Sequence, residues 1–395
     1  MDLRFSPAEL AFRDSLRAWL AQVLPGLPPP PDPDDWPGRR AYDTGWQRLL
    51  FDAGYAGVHW PAAAGGRGSS PTEHLIFLAE TERAQAPYVG TNFVGLLHAG
   101  PTLIAEGTPE QQARFLPPIL RGEELWCQGF SEPEAGSDLA SLRTRAHREG
   151  EDYVVSGQKV WTSHADVADF CELLVRTNPD APKHRGITWL ILPMDTPGIE
   201  IRPLRTIMGN SEFSELWLDD VHVPVANRVG GEDDGWRVAM TTLRFERGTA
   251  FTSDVVSCLV LTQQLAVAAR TVTRGGATAW DDRGLRRDIG HLVADFEALW
   301  ALALRNVSEA TRDGLPGVGG SVFKLHYTEA RQRLGEVAAR VLGRAGLALT
   351  DLPDLPNGRF VTDRLHAVSM TIAAGTSQIQ RNILAERALG LPKDR

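Results

Sequence analysis

The sequence predicts an α+β multidomain fold in which an all-β segment is set between two helical ones. Three observations carry this. Helix-start signals dominate up to about residue 122, short β-rich runs with turn residues between them follow, and helical periodicity returns after Gly235. No β-α alternation of the kind that signals a parallel sheet occurs. At 395 residues the chain also exceeds the ~250–300 that one hydrophobic core usually organises. We therefore divide it at 1–125, 126–232 and 233–395.

In the first segment, Ser6-Pro7-Ala8-Glu9, Ser70-Pro71-Thr72-Glu73 and Thr108-Pro109-Glu110-Gln111 each read as a capping box. A hydroxyl side chain caps the third amide, Glu or Gln reaches back, and Pro takes the first position, where no donor is needed. Helices are predicted to start near 7, 71 and 109, with Pro25 to Pro37 as a Pro-rich connection. In the middle segment, 153–156, 159–162, 170–176, 187–192 and 215–223 read as strands. In the last, helical runs are predicted near 236–270, 285–313, 321–345 and 360–389.

Composition removes several function classes. Lys and Arg total 41 against 50 Asp and Glu, a net charge of −9 without a basic stripe, which disfavours nucleic-acid binding. Only Lys159, Lys183, Lys324 and Lys393 are lysines; the remaining cations are Arg, a bias that reads as coding preference. Cys127, Cys171 and Cys258 have no metal-knuckle spacing and make an odd count, so neither a metal site nor a disulfide framework is expected. No run of about 18 apolar residues is present, and the charged start MDLRFSPAEL lacks an apolar targeting core. A cytoplasmic protein without membrane insertion is the expectation. Gly-x-Gly-x-x-Gly, Walker A, Gly-x-Ser-x-Gly and His-Glu-x-x-His are all missing, which lowers Rossmann, P-loop and serine-hydrolase chemistry.

Three motifs remain. Gln128-Gly129-Phe130-Ser131-Glu132-Pro133-Glu134-Ala135-Gly136-Ser137-Asp138 offers backbone amides and hydroxyls to a ligand rich in oxygen. Gln158-Lys159-Val160-Trp161-Thr162-Ser163 sets an indole beside two hydroxyls at a strand end, and Ala374-Gly375-Thr376-Ser377-Gln378-Ile379-Gln380-Arg381-Asn382 lies near the C-terminus. Together, in this order and spacing, they resemble the signatures of the acyl-CoA dehydrogenase family, with Phe130 where an aliphatic residue is usual. The resemblance covers essentially the whole chain and implies that family's fold: an N-terminal helical domain, a middle β-barrel and a C-terminal four-helix bundle.

The resemblance implies FAD as cofactor and α,β-dehydrogenation of an acyl-CoA or another acyl thioester. Gln128, Phe130 and Ser131 match positions facing the flavin pyrimidine ring. Trp161 matches the residue against the isoalloxazine, Ser163 the hydroxyl near flavin N5, and Gly343, Gly375, Thr376 and Gln378 contacts to the flavin or its ADP portion. Ser137, Arg244 and Arg247 match substrate-side positions. The reaction needs a carboxylate base and a donor to the developing enolate oxygen. Many members carry the base immediately before Gly-Thr-Ser, where this chain has Ala374. In a minority the base lies in a Leu-Glu-Arg segment, which Glu246-Arg247 matches, so Glu246 is the predicted base and the Ala374 backbone N–H the oxyanion donor.

Two segments depart from the family. Thr273 to Trp280 lacks its Arg-x-x-Phe-Gly, and Arg340 to Gly346 keeps only Gly343 and Gly346 of its Gln-x-x-Gly-Gly-x-Gly. These departures keep open a silent or flavin-poor partner subunit of a heteromeric enzyme. Acyl-CoA oxidase and acyl-carrier-protein dehydrogenase are further alternatives. The resemblance also implies electron-transfer flavoprotein as electron acceptor, a place in fatty-acid or sterol side-chain β-oxidation, and a homotetramer or dimer of dimers, with a heterotetramer as the alternative. Small Gly248, Thr249 and Ala250 after the base suggest room for a branched, cyclic or steroid-like acyl group.

Overall fold

The computed structural model describes residues 4–249, 251–313, 319–352 and 357–393. Its helices are α1 (Pro7–Val23), α2 (Trp36–Asp52), α3 (Pro71–Arg83), α4 (Gly100–Glu106), α5 (Pro109–Arg121), α6 (Gly235–Thr249), α7 (Thr252–Thr271), α8 (Arg283–Asp313), α9 (Gly319–Leu342), α10 (Asn357–Met370) and α11 (Ser377–Arg387). The strands are β1 (Trp126–Gly129), β2 (Arg145–Glu149), β3 (Asp152–Ser163), β4 (Phe170–Arg176), β5 (Ile187–Pro193), β6 (Ile199–Leu204), β7 (Phe213–Pro224) and β8 (Arg228–Val229), with a small hairpin of β9 (Thr273–Arg274) and β10 (Ala277–Thr278).

The three predicted helix starts fall where the caps place them. Ser6 and Glu9 exchange their reciprocal bonds, as do Thr108 and Gln111. The Pro-rich connection is shorter than its composition suggests. Asp35 caps α2, and Trp36 and Pro37 already belong to its first turn, where a missing N–H costs nothing. Two predicted helical runs are each broken in two, between Thr249 and Thr252 and between Met370 and Ser377.

The chain forms two compact units. One comprises Met1–Pro25, Pro71–Ala86 and Arg247–Arg395. Here α3, α7, α8, α9 and α10 share a core of Leu75, Val255, Leu261, Leu265, Ile289, Phe296, Tyr327, Leu334, Val341 and Phe360. By length and composition α7 could cross a membrane, but Val255, Cys258, Leu261, Leu265 and Ala269 spend its apolar surface on this core. Buried Arg331 crosses the unit, donating to Asp254 at 3.0 Å, to the Tyr327 hydroxyl at 2.6 Å and to Asp363. A guanidinium removed from water needs that many acceptors.

The other unit comprises Gly26–Ser70 and Pro87–Glu246. Its eight-stranded sheet runs β6-β7-β3-β2-β4-β5-β8, with β1 added in parallel beside β4. The predicted strands at 153–156 and 159–162 are one strand, β3, with register irregularities at Val155/Gly157 and Lys159/Thr162. Alternation sends Cys127, Cys171, Leu173, Val175, Leu190 and Leu192 into the inner core with Tyr153, Leu216 and Val223. Neighbouring positions face the other way. Trp126 stacks on Phe170 at 5.3 Å, and Phe115 of α5 meets both rings edge-on. Gln47 of α2 donates to the carbonyls of Ile119 and Leu120 that end α5. All three cysteines are free and buried, and burial pushes the Cys127 and Cys258 thiols well above their ordinary range.

The first unit holds a pH-sensitive group. Burial, together with the Asp254 charge, raises the Glu82 carboxyl to about 7 against the opposing pull of Arg359, Ser257 and Arg331. The folded chain then keeps a proton that the unfolded chain releases near the ordinary carboxylate value. Stability therefore falls as pH rises towards about 7 and is level above it. Glu82→Gln is expected to be more stable than the native chain at pH 8, by up to about 3 kcal/mol, with little difference at pH 4.5. Urea unfolding at the two pH values checks this, and an equal offset at both would contradict it.

Candidate active site

The motif at 128–138 leaves β1 and turns tightly, since Glu132 and Ala135 exchange both backbone hydrogen bonds. Gly129 is needed there because a Cβ would meet Cys171 Sγ at 2.8 Å and Leu173 Cδ1 at 2.9 Å. The loop is locked to β3 from within. Lys159, fully buried, donates from Nζ to Glu132 Oε1 at 2.8 Å and to the Phe130 carbonyl at 3.2 Å. The Glu132 carboxylate also accepts from the amides of Arg143 and Thr144 at 2.6 and 2.8 Å. Burial alone would raise Glu132, but Lys159 and these donors outweigh it and hold the carboxyl below its ordinary range. Burial pulls Lys159 down while Glu132 opposes the shift. Alongside, Val160 N–H donates to the Ser131 carbonyl at 3.0 Å. Phe130 and Ser131 are thereby tied to β3 at Lys159 and Val160, just before Trp161.

Trp161 sits at the irregular part of β3 with φ +62° and 61% of its surface exposed, touching Phe213 edge-on at 5.9 Å. A bulky side chain in left-handed backbone is costly, and a bulge of this kind re-aims a side chain out of the sheet. An indole held outward in this way suits a planar ligand. His164, the next left-handed residue at φ +58°, packs near Trp36 and Phe93. Burial first, then the Arg39 charge, lowers its imidazole to about 4, so it is neutral near pH 7.

Of the other predicted contacts here, Phe130 is buried with its carbonyl taken by Lys159, and Ser137 is exposed. The Gln128 side chain is engaged internally. Its Nε2 donates to buried Glu172 Oε1 at 2.7 Å, and His98 Nδ1, on a π-helical turn over Gly95–Ala99, lies 3.7 Å from the same oxygen. α6 is fastened to α4 by a 2.8 Å hydrogen bond between Thr102 and Thr242, and position 246 follows Thr242 by about one helical turn. The side chains of Arg244, Glu246 and Arg247 lie outside the described residues.

The other unit holds the second group. Between α10 and α11 the chain turns through Ala374, φ +53°, and Gly375, φ +86°, and Thr376 caps α11 by accepting from Ile379 N–H. Gln378 is exposed. Gly343 follows α9 in left-handed backbone, φ +58°, a conformation that by itself favours glycine. The Thr273–Trp280 segment is the β9–β10 hairpin, turning through left-handed Gly275 and Gly276, with Arg270 over the Trp280 ring at 4.0 Å.

Sequence reasoning gave no role to Lys159, Glu132, Glu172 or Lys324. The available signal was a lysine in the inward phase of an apolar strand, and another on the apolar stripe of α9, in a chain with only four.

Comparison with known proteins settles the family. The acyl-CoA dehydrogenase N-terminal, middle and C-terminal domain profiles match residues 6–123, 127–221 and 233–389. The chain belongs to the acyl-CoA dehydrogenase family. It is 40% identical to acyl-CoA dehydrogenase IpdE1 of Mycobacterium tuberculosis over 391 residues, covering 97% of this chain and 98% of that one. Among solved structures it is similar to the Tcur3481-Tcur3483 steroid ACAD, at TM-score 0.85 and 31% identity with both chains fully covered. The ChsE4-ChsE5 complex from Mycobacterium tuberculosis matches at TM-score 0.84 and 33% identity, again over the full length of both. The chain is accordingly an oxidoreductase acting on acyl-CoA.

The Lys159–Glu132 pair gives a direct test. Lys159→Met would leave Glu132 buried without its counter-charge and is expected to cost about 3–5 kcal/mol in denaturant unfolding. The double variant Lys159→Met/Glu132→Gln should recover part of that loss. A single variant within 1 kcal/mol of the native chain, itself about the size of an exposed pair, would show that the pair is not structural.

Proposed function

We propose that this chain is an FAD-dependent acyl-CoA dehydrogenase that forms an α,β-enoyl thioester, with Glu246 as the base. The observation that carries the proposal is Trp161, held outward on left-handed backbone between hydroxyl-bearing segments that a buried ion pair locks together. These residues fit a flavin: an exposed indole for the ring face, Ser131 and Ser163 as hydroxyl partners, and Gly375, Thr376 and Gln378 as a second group of contacts. When bound, FAD supplies the acceptor for the β-hydride. Glu246 removes the thioester α-proton. The N–H of Ala374 donates to the thioester oxygen as negative charge grows there, and left-handed backbone fixes the direction of that donor. Ser137, Arg244 and Arg247 serve the CoA side. Electrons pass on to electron-transfer flavoprotein.

For the substrate we infer a branched, cyclic or steroid-like acyl group. Supporting this are the small residues at 248–250 and the alanine at 374, together with the similarity to a structure named as a steroid ACAD.

Glu246→Gln is expected to retain FAD and bind acyl-CoA, yet to lower the rate of flavin bleaching by about 10²–10⁴-fold, the usual worth of a general base. Stopped-flow absorbance checks this, and native-like bleaching would sink the assignment.

A second reading, a flavin-poor partner subunit of a heteromeric enzyme, draws on the β9–β10 hairpin where relatives have Arg-x-x-Phe-Gly, and on structural relatives named as pairs of proteins. The absorbance of the purified chain with added FAD separates the two. A yellow protein is expected, and one that stays colourless would favour the partner role.

A further inference from the structure

Lys324 lies on the stripe of α9 that faces the core of its unit, beside Phe323, Tyr327 and Thr328. It is 3% exposed, and its Nζ donates at 2.7 Å to the carbonyl of Gly375. Gln380, near the start of α11, donates from Nε2 to the carbonyls of Ala374 and Gly375 at 3.2 and 3.3 Å. Both carbonyls of the turn are thus taken up by buried side chains. The amides around them close the turn backbone to backbone: Ile372 and Ala373 donate to Ser369, Ser377 to Thr371 and Gln380 to Thr376. The N–H groups of Ala374 and Gly375 have no acceptor among the described residues.

An alanine at φ +53° is strained relative to ordinary backbone. Such a conformation persists where its surroundings over-determine it. Here the surroundings are a buried ammonium and a buried amide gripping two successive carbonyls.

We propose that Lys324 is a positioning residue: with Gln380 it sets the Ala374–Gly375 turn so that the Ala374 N–H meets the thioester oxygen. The proposal rests on the dehydrogenase reading given above. It identifies a residue that acts through the turn, not on the substrate.

The test compares FAD-loaded native protein with Lys324→Met, which keeps length and loses the ammonium, and Lys324→Arg, which keeps a charged donor. The probes are cyclohexanecarbonyl-CoA and its thioether S-(cyclohexylmethyl)-CoA, identical except for the carbonyl oxygen, with affinities taken by calorimetry. The native protein is expected to prefer the thioester about tenfold, the worth of one good hydrogen bond. Lys324→Met should lose most of that preference, with Lys324→Arg in between. Amide hydrogen exchange at Ser377 and Gln380 should quicken in Lys324→Met while exchange in α8 stays native, which separates a loosened turn from general unfolding. If the native protein prefers the thioester and Lys324→Met keeps the preference, the positioning role is overturned. If native protein binds both probes equally, the dehydrogenase reading of Ala374 fails, and the role of Lys324 in it fails too. A Lys324→Met variant too unstable to purify passes the decision to Lys324→Arg and Gln380→Leu, where an unchanged preference in both overturns the proposal.

Discussion

The fold around the candidate site depends on one ion pair removed from water, Lys159 with Glu132. Burying two opposite charges is expensive and is repaid only when every remaining donor and acceptor finds a partner. Here the ammonium reaches a carboxylate and a carbonyl, and the carboxylate holds two backbone amides besides. The consequence is geometric. A loop of small and polar residues, with little apolar surface of its own, is tied to strand β3 of the sheet. The left-handed backbone at Trp161 and His164 is thus built on a rigid base. In the other unit Lys324 stands in a similar relation to Ala374 and Gly375. In both places a buried lysine grips main-chain carbonyls next to residues that ordinary sterics would push elsewhere.

Much of this was legible in the sequence, for identifiable reasons. Capping boxes at Ser6 and Thr108 announce helix starts because their chemistry is local. The shift from helical to alternating patterns places the sheet because core-facing periodicity survives in any sequence that folds this way. The interruption at 371–376 was not legible, because Thr-Ile-Ala-Ala-Gly-Thr contains good helix formers and one glycine. What breaks the helix is a tertiary grip on two carbonyls from Lys324 and Gln380, residues distant or downstream. Likewise β3 reads as two strands, since Gly157 interrupts the pattern, yet pairing with β7 carries the chain through. The Pro-rich stretch hid the start of α2 for the opposite reason: proline is a poor helix residue everywhere except the first turn, where Pro37 stands.

The site residues divide in the same manner. Ser131, Trp161, Ser163 and Gly375 stand out in sequence because they fall within compact motifs. Glu172 and Lys324 lie outside them and act by holding others, and Glu132, although inside the first motif, acts through Lys159 far along the chain. The charge bookkeeping of the whole chain, −9, could not have found them. Two of only four lysines are buried, and they are the informative cations, whereas arginines such as Arg143 and Arg202 pair at the surface, where single ion pairs contribute little.

The burial of all three thiols carries a practical consequence. Cys127 and Cys258 are held in the protonated form by their surroundings, and Cys171 lies beside Cys127 in the inner core of the sheet. A maleimide attacks only an accessible thiolate, so the native chain presents no background to such a reagent while folded. A single cysteine placed at exposed Ser137 would be the one reactive handle, ready for a fluorophore or spin label, without first removing any cysteine from the core.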